Sequence, residues 1–138
     1  MKLIKQQGFA DCGVAAIAMV TNVDYFRVLG SVPNDVFFFG LSYNELMRAL
    51  FKVTKKDWAE QYFINEEIRL KDFETKHKPA ILGLRCTTLK QFNYHWQFHY
   101  VATDGERIFD PREEKTFELD EVRKSEKGEW RVEAIIFQ

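Results

Sequence analysis

The sequence predicts a segregated α+β domain in which N-terminal helices pack on a C-terminal antiparallel sheet. Three observations predict this class. An apolar helix follows Asp11 and Cys12, a Ser-x-x-Glu capping box at Ser42 begins a second long helix, and the second half of the chain carries strand patterns around an Asp-Gly turn. At 138 residues the chain is expected to form one domain that covers residues 1–138.

The composition favours a globular protein and argues against several functional classes. Hydrophobic residues make up 46% of the chain and charged residues 30%, and the net charge is −1 with no basic stripe. We therefore expect no nucleic-acid partner and no attraction to a membrane surface. The N-terminus lacks the hydrophobic region of a signal peptide, and Val14–Val20 is too short to span a bilayer, so we expect a cytoplasmic protein.

The two cysteines are expected to be free thiols. Cys12 and Cys86 could form a disulfide in an oxidising compartment, but a chain without an export signal favours the reduced form. There is no CxxC motif and no His/Cys cluster with metal-ligand spacing, so the sequence predicts no metal site, and nothing in it indicates a cofactor. Cys86 ends an apolar strand pattern and is interpreted as structural or incidental.

The helix that follows Asp11 is the predicted centre of the domain. Residues Val14–Met19 are apolar on every face, which is typical of a helix that is buried all round. Asp11 is expected to cap this helix by accepting a free backbone N–H of its first turn. Cys12 then occupies the first helical position, where the helix dipole favours thiolate over thiol. The alternative is that Cys12 is an ordinary buried cysteine that acts as a small apolar residue.

Two further helices are expected in the first half besides the central one, which should end near Thr21–Asn22. A short helix is expected over Asp24–Leu29, closed by Gly30, and a longer one follows Ser42. The longer helix is predicted by apolar residues at helical spacing, namely Leu46, Met47, Leu50 and Phe51.

Three segments between the helices and the sheet are less regular. The run Val36–Phe39 follows a Pro-Asn-Asp turn signal and is interpreted as core, with the wall of a groove as the alternative. Lys52–Tyr62 fits either a strand or a loop. Asn65–His77 is expected to form a short amphipathic helix with its apolar face at Ile68, Leu70 and Phe73.

Four strands are expected in the second half, at Ala80–Leu84, Trp96–Thr103, Glu106–Asp110 and Glu129–Phe137. The first is an apolar run after a proline, which is typical of a buried strand. Thr87–Phe92 is expected to be a loop. The last strand is predicted by alternation that would bring one set of side chains to a single face, namely Trp130, Val132, Ala134 and Ile136.

The Asp-Gly turn predicts that a histidine and an aspartate meet across a hairpin. If Asp104 and Gly105 are the two loop residues, Thr103 pairs with Glu106 and His99 pairs with Asp110. Directly opposed side chains have Cβ atoms roughly 4.5–5.5 Å apart. A carboxylate in that position fixes the tautomer of the imidazole and stabilises its charged form, as in a nucleophile–base–orienter arrangement.

Other interpretations of these residues stay open at this point. The His99–Asp110 pair could be an ordinary charged cross-strand pair at the open end of a hairpin. His95 has the same parity as His99 but no obvious acid opposite it. His77 lies between two lysines and is expected to be a solvated surface residue.

Together these residues resemble a known family. The segment Gln6–Met19 closely resembles the nucleophile motif of the C39 cysteine peptidases, a branch of the papain-like fold, in which a Gln precedes Asp-Cys-Gly and a small apolar helix. His99–Ala102 and Ile108–Pro111 are similar to the histidine strand and the Asp-Pro strand of that family. The helix after Ser42 and the strand at Pro79–Leu84 also follow the family's order.

The resemblance implies a role for each residue of the site. Cys12 would be the nucleophile, His99 the general base and acid, Asp110 the residue that orients His99, and Gln6 a donor of the oxyanion hole. In many C39 proteins this domain is fused to an exporter and cleaves leader peptides. Because no membrane span follows here, we do not expect leader processing.

The expected function is hydrolysis of a peptide or amide bond in a peptide or protein substrate, with the oligomeric state left open. There are two alternatives, one with a different reaction on the same residues and one with no reaction at all. The first is acyl transfer or Gln deamidation by the same triad, and the second is a catalytically silent peptide-binding module.

Overall fold

The computed structural model describes residues 1–63, 65–86 and 98–138. These residues form five α-helices and a six-stranded antiparallel sheet, which confirms the α+β class. The helices are α1 (Cys12–Thr21), α2 (Tyr25–Leu29), α3 (Val36–Phe39), α4 (Tyr43–Thr54) and α5 (Leu119–Arg123). The strands are β1 (Ala59–Tyr62), β2 (Ala80–Arg85), β3 (Phe98–Thr103), β4 (Arg107–Phe109), β5 (Phe117–Glu118) and β6 (Arg131–Phe137).

The strands lie side by side in the order β1-β6-β2-β3-β4-β5. Both faces of this sheet are covered. On one face α1, α2 and α4 form the larger core with side chains of β2, β3 and β6, namely Ile81, Tyr100, Ala134 and Ile136. On the other face the segment around Leu70, helix α5 and Trp130 cover Leu82, Val101 and Ile135.

The central helix is as the sequence predicts. Residues Cys12–Met19 of α1 are all buried, and the helix ends at Thr21, followed by Asn22, whose backbone is left-handed with φ 56°. Complete burial removes the helix from solvent on every side, so its position is set by the packing of its neighbours. This packing determines where Cys12 lies.

The two capped helices are also confirmed. The Asp24 side chain accepts hydrogen bonds from the backbone N–H groups of Phe26 and Arg27 at the start of α2. Ser42 and Glu45 form a reciprocal capping box at the start of α4. Side-chain acceptors satisfy N–H groups that have no partner within the helix, which is why both boundaries could be predicted.

The core interpretation of Val36–Phe39 is wrong for half of this run, because Val36 and Phe37 pack with the core but Phe38 and Phe39 do not. Only Val36 is buried, whereas Phe38 and Phe39 are 76% and 82% exposed. The four residues form a single helical turn, and successive side chains of a helix point about 100° apart. One turn therefore cannot bring all four side chains to the same core.

The amphipathic helix expected over Asn65–His77 is not formed. Only Leu70–Asp72 are helical, as one 3₁₀ turn. The chain before this turn runs along β6, where Leu70 N–H donates to the Trp130 carbonyl and Val132 N–H donates to the Ile68 carbonyl. Pairing with the sheet satisfies the backbone and buries Leu70, so tertiary structure overrides the helical spacing.

The last strand does not keep its apolar residues on one face, as the sequence analysis expected. A register shift opposite Gly83 and Leu84 interrupts the pairing of β6 with β2. Ala134 and Ile136 pack with the helices, whereas Trp130 and Val132 pack on the opposite face. An extra residue in one strand exchanges the two faces beyond it, and the alternation does not reveal such a bulge.

The remaining segments agree with the sequence analysis only in part. The segment Lys52–Tyr62 divides into the end of α4, a connection and β1. The strand expected at Ala80–Leu84 is confirmed as β2. The loop expected at Thr87–Phe92, the start of the strand at Trp96, and His95 lie outside the described residues.

No helix within the described ranges is both long enough and apolar enough to cross a membrane. The longest of them, α4, has 12 residues.

Gly83 lies where β2 packs against an aromatic group, and this gives a test of the packing. A Cβ at Gly83 would overlap Tyr43 Oη and would lie 3.0 Å from Phe98 Cζ. We expect Gly83→Ala to lower the free energy of unfolding by about 1–3 kcal/mol, because the rings must move apart. Urea denaturation followed by circular dichroism measures this change.

Gly30→Ala is the matched control. Its φ is −68° and the nearest atom to a new Cβ is 3.5 Å away, so the free energy of unfolding should stay the same or rise. Equal effects of the two substitutions would contradict the described packing around Gly83.

Candidate active site

Cys12 lies where the first turn of α1 meets an open part of the sheet. Strand β4 ends at Phe109, which pairs with Ala102 of β3. The backbone N–H of Tyr100, two residues before Ala102 on β3, therefore has no partner on β4. The Tyr100 N–H instead donates to Cys12 Sγ, with 3.5 Å between nitrogen and sulfur. The side chain of Cys12 is 95% removed from solvent in this position, since the residue is 5% exposed.

Asp11 does not cap α1 in the way the sequence predicts. Its side chain makes no capping hydrogen bond, and its backbone has φ −91° and ψ 25° instead of the extended conformation usual for a cap. The buried carboxylate accepts hydrogen bonds from Gln7 N–H and Gly8 N–H, both at 2.8 Å, and from the Tyr25 hydroxyl. Asp11 therefore organises the loop that precedes Cys12 and not the first turn of the helix.

Gln6 lies in that loop, close to the chain at Asp110. Its backbone N–H donates to the Pro111 carbonyl at 3.0 Å. Its side-chain Nε2 donates to the carbonyls of Gly8 and Phe9, at 3.0 and 3.2 Å. Gln6 Oε1 is buried and has no hydrogen-bond partner among the described residues. In this state both N–H bonds of the amide are used by the loop, so its role in an oxyanion hole stays a prediction.

His99 and Asp110 are in direct contact, as the sequence analysis expected. Nε2 of His99 lies 2.6 Å from Oδ1 of Asp110, and both side chains are fully buried. The Arg112 backbone N–H also donates to Oδ1, at 3.0 Å. A carboxylate on Nε2 fixes the ring orientation and leaves Nδ1 as the nitrogen that can exchange a proton with the thiol.

The register that was predicted to produce this contact is wrong. Ala102 pairs with Phe109 and Thr103 with Ile108, so the partners are displaced by two residues and His99 is not directly opposite Asp110. The turn is longer than two residues because the Asp104 side chain accepts hydrogen bonds from Glu106 N–H and Arg107 N–H. A displacement of two residues keeps both side chains on the same face, where diagonal neighbours are still within reach.

The thiol and the imidazole are electrostatically coupled. Burial alone would raise the pKa of Cys12, but the charge of the nearby His99 imidazole, aided by the Tyr100 N–H, outweighs burial, and the pKa is lowered from its ordinary value of 9.0. Burial likewise opposes the charged form of His99, yet the charges of Asp110 and Cys12 raise its pKa above 6.5. His99 Nδ1 has no hydrogen bond of standard geometry to another described residue. These shifts favour a thiolate–imidazolium pair.

Lys127 is the functional candidate that sequence reasoning missed. Its Nζ contacts Oδ2 of Asp110 and lies 2.9 Å from an oxygen of Glu113. Burial opposes ionisation of Asp110, but His99 and Lys127 together hold the pKa of its carboxyl far below the ordinary value. Lys127 is 17 residues from Asp110 in a charged segment, and no spacing or motif distinguishes it from its neighbours.

The other candidate residues lie apart from this group or carry different chemistry. Cys86 is a free thiol like Cys12, and burial raises its pKa to about 11. His77 is exposed, as expected, and stacks on the Phe137 ring with 3.4 Å between ring centroids. Within the described ranges, no group of three His, Cys, Asp or Glu side chains could hold a metal ion.

Comparisons with known proteins do not assign the chain to a family. No family model matches it, and no curated protein is significantly similar to it. Arguments about its chemistry therefore start from the geometry of Cys12, His99 and Asp110.

The lowered pKa of Cys12 can be measured by alkylation. Because a lowered pKa means that thiolate persists at lower pH, we expect iodoacetamide to modify Cys12 with a midpoint below pH 9.0. In His99→Ala burial remains while the largest influence that lowers the pKa is lost, so the midpoint should rise and the rate at pH 7 should fall by roughly tenfold or more. Mass spectrometry of the peptides gives the rate at each cysteine.

Cys86 is the internal control for that measurement. It is 4% exposed, against 5% for Cys12, so similar burial is combined with a pKa of about 11. Similar alkylation rates for the two thiols at pH 7 would contradict an activated Cys12.

The role of Asp11 in the loop can be measured by a double-mutant cycle with Tyr25. Asp11→Asn removes one carboxylate acceptor while two N–H groups and a hydroxyl still need partners. We expect a loss of about 1–3 kcal/mol in the free energy of unfolding. The effects of Asp11→Asn and Tyr25→Phe should not be additive, because both remove the same hydrogen bond. Additive effects in urea denaturation would contradict this contact.

Proposed function

We propose that this protein is a thiol hydrolase of the cysteine-peptidase type that cleaves a peptide or amide bond with Cys12 as nucleophile. The observation that carries the proposal is the coupled group of Cys12, His99 and Asp110, in which the thiol has a lowered pKa and the imidazole is held by a carboxylate. The C39-like order of motifs supports it, and we extend the proposal to a papain-like fold of the C39 type. Because both cysteines are free thiols, we further propose that it acts in the cytoplasm.

In the proposed reaction the Cys12 thiolate attacks the carbonyl carbon of the scissile bond. A C–S bond forms, and the carbonyl π electrons move to oxygen as an oxyanion. When the tetrahedral intermediate collapses, the C–N bond breaks and the leaving nitrogen takes a proton from the His99 imidazolium. The enzyme is then a thioester at Cys12 with a neutral His99.

The second half of the reaction restores the enzyme. His99 accepts a proton from water, the resulting hydroxide attacks the thioester, and the C–S bond breaks to release a carboxylic acid and the thiolate. Asp110 keeps the imidazole in one orientation throughout, because its Oδ1 stays on Nε2. His99 exchanges protons through the other nitrogen, Nδ1.

Two donors are available for the oxyanion in this proposal. The backbone N–H of Cys12 belongs to the first turn of α1, whose N–H groups have no partners within the helix. The Gln6 amide is the second donor, and one of its N–H bonds would move from a loop carbonyl to the oxyanion. Loss of one such donor typically lowers the rate by about a hundredfold or more.

Acyl transfer and Gln deamidation use the same first half-reaction. They differ in whether an amine replaces water and in whether the attacked amide belongs to a side chain. Mass spectrometry of a treated protein or peptide distinguishes these outcomes as cleavage, a new isopeptide bond or a gain of about one dalton. A silent binding module would produce none of them.

Substitution of the nucleophile tests the proposal directly. We expect Cys12→Ala to reduce cleavage of a peptide library by about a thousandfold or more, because no other group can form the thioester. Circular dichroism should show the same fold, since alanine fits the buried position at the start of α1. Mass spectrometry of the library products measures cleavage.

Cys86→Ala is the matched control, because it removes a thiol of similar burial whose pKa is raised to about 11. This variant should retain the activity of the original protein. Full activity in Cys12→Ala against a substrate that the original protein cleaves would disprove the proposal.

A further inference from the structure

Asp110 is shared by two cationic groups through its two different oxygens. His99 Nε2 lies 2.6 Å from Oδ1, and the Lys127 ammonium contacts Oδ2. The carboxylate thus lies between an imidazole that exchanges protons and a cation that does not. Because the two partners approach different oxygens, the contact with Lys127 leaves Oδ1 available to His99.

The position of the Lys127 ammonium is defined on several sides. It lies 2.9 Å from Glu113 Oε1 and over the rings of Phe117 and Trp130, with 5.4 and 5.7 Å to their centroids. The Trp130 ring also makes an edge contact with His99, at 6.4 Å between centroids. The Lys127 side chain is only 19% exposed, so it is not a freely solvated surface group. A cation this buried is costly unless it is paired.

The backbone around Lys127 is held independently of the active site. Glu126–Glu129 form a 3₁₀ turn between α5 and β6. Lys71 Nζ bonds a Glu129 carboxylate oxygen at 2.8 Å, and Arg69 Nη1 bonds the Glu129 carbonyl at 2.7 Å. These contacts attach the turn to the segment around Leu70, so the turn brings Lys127 to Asp110 from outside the hairpin.

We propose that Lys127 is a positioning residue: it anchors Oδ2 of Asp110 so that Oδ1 faces His99, and its charge partly offsets the carboxylate so that the imidazolium is held less strongly and can deliver its proton. This assignment rests on the proposed function. Lys127 does not touch the reacting atoms and acts through Asp110.

The order of charges across the group is what gives Lys127 its effect. A thiolate at Cys12, an imidazolium at His99, a carboxylate at Asp110 and an ammonium at Lys127 alternate in sign. Among the described residues, the ionisable groups that also act on them include Cys86 after β2, Tyr100 on β3, Arg112 after β4, and Glu113. Glu113 is a second carboxylate paired with Lys127, but its side chain is partly exposed. Solvent therefore screens its charge more than that of Asp110.

Removal of the Lys127 ammonium should change the pKa of His99 in a definite direction. Without Lys127 the Asp110 carboxylate becomes more basic and holds the His99 proton more strongly, so the pKa of His99 should rise further. A lysine that served only to hold the 3₁₀ turn would have a different effect. If the turn became loose, His99 would lose the support of Asp110 and its pKa would fall, or nothing would change.

The experiment is an NMR titration of the His99 imidazole in single variants of the full chain. We expect Lys127→Met to raise the His99 pKa by about one unit, a tenfold change in proton affinity, and Lys127→Arg to restore the original value. Lys71→Met is the matched control, because it removes an ion pair of the same turn without contacting Asp110. It should leave the titration unchanged.

An unchanged or lowered His99 pKa in Lys127→Met would overturn the assignment, as would an equal shift in Lys71→Met. If Lys127→Met does not fold, Lys127→Gln keeps a donor for Oδ2 without the charge and should give the same rise.

The titration needs no substrate, so it separates the two proposals. A Cys12-dependent cleavage with no shift in Lys127→Met would reject the role of Lys127 alone. The expected shift in a protein that cleaves no amide would reject the proposed function and leave the coupling of Lys127 to His99 in place.

Discussion

The burial of α1 on all sides is the constraint on which the rest of the structure depends. Every residue from Cys12 to Met19 is buried between the sheet and helices α2 and α4. Small residues allow this close approach, and a Cβ at Gly13 would lie 3.1 Å from both Leu41 and Tyr100. Each fully buried aliphatic side chain contributes about 1.5–3 kcal/mol, so the helix cannot move without a large loss of stability. The position of the Cys12 sulfur follows from this packing.

The short strand β4 leaves space beside β3 for the Cys12 sulfur. Because β4 stops at Phe109, the backbone of β3 is left open at Tyr100, and the first turn of α1 occupies the space. His99 is the next residue of the same strand, so the backbone that binds the sulfur also carries the imidazole. Asp110 follows the end of β4 and reaches His99 from the same hairpin. The early end of β4 therefore brings together Cys12 from α1, His99 from β3 and Asp110 from the segment after β4.

The contribution of His99, Asp110 and Lys127 to folding stability does not explain why charged side chains are placed there. Buried ion pairs rarely stabilise a fold more than apolar residues of similar size, because desolvation offsets most of the Coulomb attraction. Here a carboxylate, an imidazole and an ammonium are all placed in or near the core, and Asp11 adds a second buried carboxylate in the preceding loop. A chemical role for the group, as proposed above, accounts for charges that packing does not require.

The sequence by itself determined the elements whose signals are local. The apolar run of α1, the capping box of α4 and the strand β2 were predictable because each depends on neighbouring residues. The pairing of His99 with Asp110 was also predictable, although the predicted register was wrong, because parity along a strand survives a displacement of two residues.

Only the tertiary structure decided the features that depend on distant partners. The bulge in β6, the extended chain before Leu70 and the approach of Lys127 to Asp110 all join segments far apart in sequence. No local propensity encodes these contacts, because their free energy comes from backbone groups and charges that meet only after the chain has folded.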